Sequence, residues 1–265
     1  MNSVTVHMNS IREFELQKAM HLFPPECRIL EIGAGSGYQA SKLKDQGFQV
    51  EAIDVFIDLE RKIFEVRKYD GKIIPFPNHS FDIVFSSNAL EHIDELEEFQ
   101  EEIKRVLKPD GFAIHVLPTA TWRFWSWISH CLNWLKIIYK LIVGFGRAES
   151  SPDNDPEIAL KTKKILSQKS LLDLFVDKLL IPPHGVKGSA LTEIFYFNRF
   201  YWIPFFRRTG WEVNSYFQNR LFYTDYLIFG VHLDIKWRHL LSYVFGSSCM
   251  IYVLKKSFFT NEPGK

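Results

Sequence analysis

A short apolar strand runs directly into a turn with three glycines, and this feature constrains the fold more than any other part of the sequence. The pattern predicts a strand over residues 28–32, a Gly-Ala-Gly-Ser-Gly turn over 33–37 and a helix as far as Gln46. Glycines let the backbone bend sharply and approach a ligand, and the first amides of the helix can donate to an anionic group. The sequence therefore predicts a nucleoside-binding unit of strand, turn and helix.

A second strand and an acidic residue extend this predicted site. Residues 48–53 have strand character and lead into Asp54, which follows Gly33 by 21 residues. A carboxylate at the end of this strand can accept hydrogen bonds from both hydroxyls of a ribose. The dinucleotide fingerprint Gly-x-Gly-x-x-Gly is not met, because Tyr38 occupies its last glycine position. Nicotinamide-dependent oxidoreduction is therefore disfavoured.

The pattern Glu-x-Gly-x-Gly-x-Gly over residues 31–37 resembles the class I S-adenosylmethionine-dependent methyltransferases, in particular their type 11 branch. The resemblance continues in the same order through residues 70–76, 80–92 and 105–111. It implies an α/β fold with a Rossmann-like, seven-stranded, mostly parallel sheet that has an antiparallel edge strand. An aromatic helical region, inserted after the fifth strand, would act as a cap over the substrate.

The resemblance also implies which residues bind S-adenosylmethionine and its product S-adenosylhomocysteine. They are Glu31, Gly33, Ala34, Gly35, Gly37, Asp54, Val55, Asp70, Gly71, Asn88 and Ala89. The turn over residues 31–37 would contact the methionine part of the cofactor, and Asp54 would bind the ribose. Asp70 would accept a hydrogen bond from the adenine amino group, and the backbone at Asn88 would lie beside the sulfonium.

Methyl transfer from a sulfonium is an in-line displacement in which a neutral thioether leaves, so alignment and exclusion of water are the main tasks of the protein. We expect no metal, because no cluster of His, Cys, Asp and Glu shows ligand spacing. Histidine suits the role of a general base near neutral pH, and His92 and His184 are the candidates. The alternatives are a helix-start residue at 92 and an ordinary loop histidine at 184. His115 is predicted to be structural.

Charge and aromatic residues divide the chain unequally. Residues 1–120 carry a net charge of −7 and residues 121–265 a net charge of +8, and all seven tryptophans lie in the second part. We expect residues 1–120 to form the cofactor-binding half of the sheet and 121–208 a helical cap with a mobile connector near 147–170. Residues 209–260 would supply two closing strands, which pair antiparallel at the far edge.

Residues 122–146 form a predicted helix covered with apolar and aromatic side chains. Small or polar residues recur at steps of three or four and define one narrow stripe, which consists of Arg123, Ser126, His130, Asn133, Lys136, Lys140 and Gly144. The longest uncharged run has 12 residues, which is too short to cross a bilayer. Three interpretations stay open: a buried helix, a membrane-surface helix with Arg123, Lys136 and Lys140 facing phosphates, or the interface of a homo-oligomer.

A second aromatic helix is predicted over residues 191–206, broken before Pro204. The His184-Gly185 element, followed by Glu193 and aromatic residues, is similar to methyltransferases encoded among bacterial surface-polysaccharide genes. That resemblance implies a sugar or lipid-linked glycan acceptor.

The leading hypothesis is O-methylation of a small-molecule or glycan hydroxyl. The alternatives are C-methylation of a membrane quinone-type acceptor, or a membrane-surface binding module with a vestigial cofactor site. Nucleic acid is disfavoured as a partner, because the basic residues are dispersed. Three widely spaced cysteines and the lack of a signal-peptide pattern predict a cytoplasmic protein, with association at the inner face of a membrane as a further expectation.

Overall fold

The computed structural model describes residues 3–57, 62–147, 183–189, 192–224 and 230–257, and within them seven strands form one sheet. The strands are β1 Arg28–Ile32, β2 Gln49–Asp54, β3 Arg67–Lys68, β4 Phe81–Ser87, β5 Leu107–Pro118, β6 Trp211–Gln218 and β7 Cys249–Lys256. Their order across the sheet is β3-β2-β1-β4-β5-β7-β6. Strands β1 to β5 are parallel, and β7 is antiparallel to both of its neighbours. The predicted mostly parallel sheet with an antiparallel strand is confirmed.

Helices cover both faces of this sheet. They are α1 Ser3–Met20, α2 Tyr38–Asp45, α3 Leu96–Val106, α4 Ala120–Arg147, α5 Glu193–Tyr196, α6 Arg199–Arg208 and α7 Ile235–Phe245. Alternate strand residues point to opposite faces, so one apolar core forms between the sheet and α1 with α2. The other core forms between the sheet and α3 with α6, where Trp211 also donates from Nε1 to the buried Gln100 amide at 2.9 Å.

The helix boundaries differ from the sequence prediction in the second aromatic segment. The predicted break before Pro204 is wrong, because α6 continues through this residue to Arg208. The chain breaks earlier, at Asn198, whose side chain accepts a hydrogen bond from the Phe200 amide at 3.1 Å and caps α6. Pro204 lacks an amide donor and its ring crowds the carbonyl four residues earlier, but α6 still continues through it for 10 residues in total.

The predicted helix over 122–146 is present as α4, but side chains of its first turns pack against the rest of the protein. Arg123 is 2% exposed and its Nη2 lies 2.8 Å from Oε2 of Glu193, which is fully buried. Trp125 donates from Nε1 to the Phe245 carbonyl at 2.9 Å and packs on α7. The expectation that Arg123 faces membrane phosphates is therefore wrong, because periodicity defines a stripe without telling which side of the helix is buried.

Two further expectations concern the same region. None of the helices that the structure describes is long and apolar enough to cross a membrane. Most of the predicted connector near 147–170 lies outside the described residues.

The buried pair of Arg123 and Glu193 generates a stability prediction. The change Glu193→Gln keeps an acceptor for the loop amides but leaves a buried guanidinium without this carboxylate. We expect a loss of about 3–5 kcal/mol in the free energy of unfolding, measured by chemical denaturation. The exposed pair of Arg208 and Glu97, 3.0 Å apart, is the matched control, and Arg208→Ala should cost less than about 1 kcal/mol. Equal losses in the two variants would contradict the proposed role of burial.

Candidate functional site

A cavity of about 440 Å³ opens at the carboxyl ends of β1, β2 and β4, where ligands of open α/β sheets bind. It brings together eight of the residues predicted from the sequence: Gly33, Asp54, Val55, Asp70, Gly71, Asn88, Ala89 and His92. The other predicted residues, Glu31, Ala34, Gly35, Gly37 and His184, are not among the residues that line it. The cavity wall also includes residues that the sequence analysis missed, namely Ile32, Tyr69, Lys72, Ile93, Asp94 and Glu95.

The glycine turn after β1 forms one wall of this cavity. Gly33 has a φ of 73°, and a Cβ atom built on it would lie 2.4 Å from the Cβ of Ala89. The two chain segments therefore approach each other at a distance that only glycine allows. Amides of Gly33 and Ala34 both donate to the Ile53 carbonyl, at 3.0 and 3.2 Å, which ties the turn to β2.

Asp54 connects the end of β2 to the same turn. Its Oδ2 accepts a hydrogen bond from the Gly35 amide at 2.7 Å, and its Oδ1 accepts one from the Phe56 amide at 3.0 Å. A carboxylate has about four lone-pair positions, so both oxygens retain capacity for hydroxyl donors of a ligand. The side chain is thereby held in place at the cavity wall before any ligand binds.

Asp70 and Lys72 line another side of the cavity. Oδ1 of Asp70 accepts hydrogen bonds from the amides of Lys72 and Ile73, at 2.8 and 2.9 Å. These bonds stabilise the charged form and lower the pKa of Asp70. The Lys72 ammonium lies 2.9 Å from Oε1 of Glu95, so an exposed ion pair closes this side of the cavity.

Asn88 turns the chain at the end of β4. It has a φ of 51°, a left-handed conformation that asparagine adopts more readily than most residues. Its amide donates to the Val116 carbonyl at 2.8 Å, and its Nδ2 donates to the Ser87 hydroxyl at 3.2 Å. This turn sets Ala89 against the glycine turn.

Glu31 lies beneath the glycine turn and not on the cavity wall. The residue is buried, and Oε2 has no hydrogen-bond partner among the residues that the structure describes. Burial raises the pKa of Glu31 to about 8, because a carboxylate is poorly solvated there.

The two candidate histidines lie together. The rings of His92 and His184 have their centroids 4.9 Å apart, and the ring of Trp122 packs edge-on against His184 at 4.8 Å. Partial burial lowers the pKa of both imidazoles, and it lowers that of His184 to about 4 with help from the neighbouring His92 and from Arg123. His92 lines the cavity directly, and His184 lies behind it.

His115 shows the structural role that the sequence predicted. It is fully buried in β5, 2.8 Å from the Ser86 hydroxyl through Nδ1, and it stacks on Phe206.

The sequence analysis missed Glu91, which lies between these histidines and the core. Its side chain is 1% exposed, and Oε1 lies 3.9 Å from Nε2 of His92. Neither carboxylate oxygen has a hydrogen-bond partner in the described part of the chain. The Glu-His pair was visible in the sequence, but nothing in the spacing indicated that His184 would join it.

Residues 30–115 match a protein-family model described as "Methyltransferase domain". The chain is 32% identical over 109 residues to a 2-methyl-6-phytyl-1,4-hydroquinone methyltransferase of Synechocystis sp., which covers 37% of this chain and 33% of that relative. It is 29% identical over 112 residues to a sarcosine/dimethylglycine N-methyltransferase of Aphanothece halophytica, covering 37% of this chain and 40% of the relative. The chain thus matches less than half the length of either relative.

A solved structure supports the fold over nearly the whole chain. An S-adenosylmethionine-dependent methyltransferase from Archaeoglobus fulgidus superposes with a TM-score of 0.52 at 14% sequence identity, covering 94% of each chain. At this identity the likeness concerns the fold alone. The sequence match over residues 30–115 therefore makes this part of the chain similar to a methyltransferase domain, and the solved structure supports the fold.

Proposed function

We propose that this protein transfers the methyl group of S-adenosylmethionine to a hydroxyl oxygen of a small-molecule or glycan acceptor. The observation that carries the proposal is the cavity at the carboxyl ends of the strands, where the glycine turn, Asp54, Asp70 and Asn88 meet. These residues lie on four separate segments, and each is held by backbone hydrogen bonds. When bound, the cofactor supplies an electrophilic methyl group on a sulfonium.

The residues present fit such a cofactor. The cavity volume falls within the range of small-molecule sites. Asp54 would hold the ribose hydroxyls, and Asp70 with the Gly71 amide would bind the adenine. Gly33 provides backbone without a side chain at the point where the methionine part would lie, and Ala89 limits the space opposite it.

The acceptor would enter beside His92. This residue is 44% exposed and lines the cavity next to Asn88 and Ala89, which in the proposed arrangement lie beside the sulfonium. His184 and Trp122 extend an aromatic surface behind it. An imidazole here would accept or relay the proton that the hydroxyl loses, and the aromatic rings would suit contact with a sugar or a phenol.

The names of the relatives do not indicate which acceptor this protein uses. One methylates a hydroquinone and another an amino nitrogen, according to their names. Of the two sequence-based alternatives, C-methylation of a quinone-type acceptor would use the same cavity. The binding module with a vestigial site requires a cavity that no longer binds cofactor.

Cofactor binding tests the glycine turn. We expect Gly33→Ala to weaken binding of S-adenosylhomocysteine at least about tenfold by calorimetry, because the new Cβ collides with Ala89 and deforms the cavity wall. Gly47→Ala is the matched control. Gly47 also has a positive φ, 90°, but a Cβ atom there would meet nothing within 4 Å. Equal affinity in the two variants would contradict the assignment of the turn.

Product analysis tests the reaction. We expect ¹³C-methyl-labelled S-adenosylmethionine to transfer its label to an oxygen atom when the enzyme is offered a panel of sugars, phenols, hydroquinones and primary amines. Mass spectrometry would detect the product, and NMR would identify the atom that carries the label. A label on a ring carbon would support the quinone-type alternative, and cofactor binding without any transfer would contradict the enzymatic proposal.

Membrane association stays a proposal for the outer part of α4. Exposed residues there are Leu132, Leu135, Lys136 and Tyr139, a combination of apolar and basic side chains that suits an anionic lipid surface. We expect the double change Leu135→Asp and Tyr139→Asp to reduce flotation with anionic phospholipid vesicles. Val6→Asp, at an exposed apolar position of α1, is the control. Flotation that is absent in the wild type, or unchanged in the double variant, would contradict this proposal.

A further inference from the structure

We propose that Glu91, His92 and His184 bind a divalent transition-metal cation such as Zn²⁺ at the acceptor end of the cavity. One ligand atom from each side chain can be chosen so that all three atoms lie within 4.8 Å of one another. The binding site stands on this geometry alone, and the catalytic role given to the cation below rests on the proposed methyl transfer.

The unpartnered carboxyl of Glu91 points to a cation. Burying a carboxylate is unfavourable unless it is paired or coordinates a metal. The neighbouring buried charges are already balanced, because Arg12 pairs with Glu15 at 3.0 Å and Arg123 pairs with Glu193 at 2.8 Å. Both oxygens of Glu91 lack a hydrogen-bond partner within the described ranges. A cation beside the two imidazoles would supply the missing interaction.

The segment that carries His184 is held against Glu91 by several interactions. Oε1 of Glu193 accepts hydrogen bonds from the amides of His184 and Gly185, at 2.6 and 2.7 Å. The Val186 amide donates to the Glu91 carbonyl at 3.0 Å. A Cβ atom at Gly185 would lie 2.8 Å from that carbonyl oxygen, so glycine allows the close approach. The ligands therefore come from two segments that the fold fixes together.

The distances suit a cation after side-chain adjustment. Imidazole nitrogen and carboxylate oxygen bind Zn²⁺ at about 2.0–2.2 Å, so two ligand atoms around a tetrahedral ion are about 3.4 Å apart. Oε1 of Glu91 and Nε2 of His92 are 3.9 Å apart, and the spread of 4.8 Å for all three ligand atoms would have to shorten by roughly 1.4 Å at most to reach this separation. Two histidines and one glutamate are a ligand set that catalytic zinc sites use, with a further position left for water or substrate.

The open position would face the acceptor, because His92 lines the cavity. An acceptor hydroxyl bound there loses its proton to water more readily, since the cation stabilises the resulting alkoxide. A lone pair of this oxygen then forms the O–CH₃ bond while the S–CH₃ bond breaks. The electron pair of the broken bond stays on sulfur and gives neutral S-adenosylhomocysteine. The cation acts on the acceptor, and the displacement at sulfur itself needs no metal.

Calorimetry with Zn²⁺ on the full-length protein, first freed of metal by a chelator, tests the site. We expect one equivalent to bind, and we expect Glu91→Gln and His184→Ala each to weaken binding at least about tenfold. His21→Ala is the control, because His21 is an exposed histidine that follows α1 and contacts Phe217 instead. Absence of Zn²⁺ binding in the wild type, or equal binding in the Glu91 and His21 variants, would overturn the proposal.

Two measurements separate this proposal from the proposed function and from loss of structure. Circular dichroism and binding of S-adenosylhomocysteine should be unchanged in His184→Ala, because this residue does not line the cofactor cavity. Zn²⁺ binding without cofactor binding would support the cation site and contradict the methyltransferase. Turnover that survives complete chelation would overturn the catalytic role of the cation, and turnover that Zn²⁺ restores would support it.

Discussion

The candidate site depends on one close contact, in which the backbone of Gly33 meets the side chain of Ala89. Strands β1 and β4 are neighbours in the sheet, but β2 lies on one side of this pair and β5 on the other. The connections after β1 and β4 therefore leave the sheet in opposite directions, and a crevice opens between them. A side chain at Gly33 would occupy the space of Ala89 and distort the crevice. The cavity, the position of Asn88 and the approach to His92 all follow from this contact.

The first half of the fold could be predicted because its signals are local. Strands β1 and β4 are short and mostly apolar, and the residue that ends a parallel strand must lie at the same edge of the sheet as the ends of its neighbours. Asp54 was therefore identifiable as a cavity residue from its place at the end of β2, whereas the role of Asn88 was implied by the family resemblance. The hydrogen bond from the Gly35 amide to Asp54 joins the ends of β1 and β2, which are successive strands in the chain and neighbours in the sheet.

The arrangement of the second half could not be predicted in the same way, because it depends on side-chain contacts between segments that are far apart in the sequence. Helical periodicity located α4 and its polar stripe, but only the buried Glu193 shows that Arg123 points inward. In the same way, the sequence placed His92 after β4 and His184 in a turn, but no spacing rule joins them. Their contact depends on the hydrogen bonds that Glu193 accepts from the His184 segment. Residues of this kind can be identified only when the packing of these segments is known.

The buried carboxylates around this site fall into two groups: those that pair with an arginine inside the protein, and those that do not. Glu193 and Glu15 each face a guanidinium, so their charges are compensated inside the protein. Glu31 and Glu91 are equally buried, but each has at least one oxygen without a partner among the described residues. Glu31 lies under the turn proposed to hold the methionine part, where the bound cofactor would bring an ammonium and a sulfonium. Glu91 lies beside His92, which lines the cavity at the acceptor end of the proposed arrangement. A carboxylate there needs a positive partner of its own, and the two adjacent imidazoles are the side chains best suited to hold one as a metal ion.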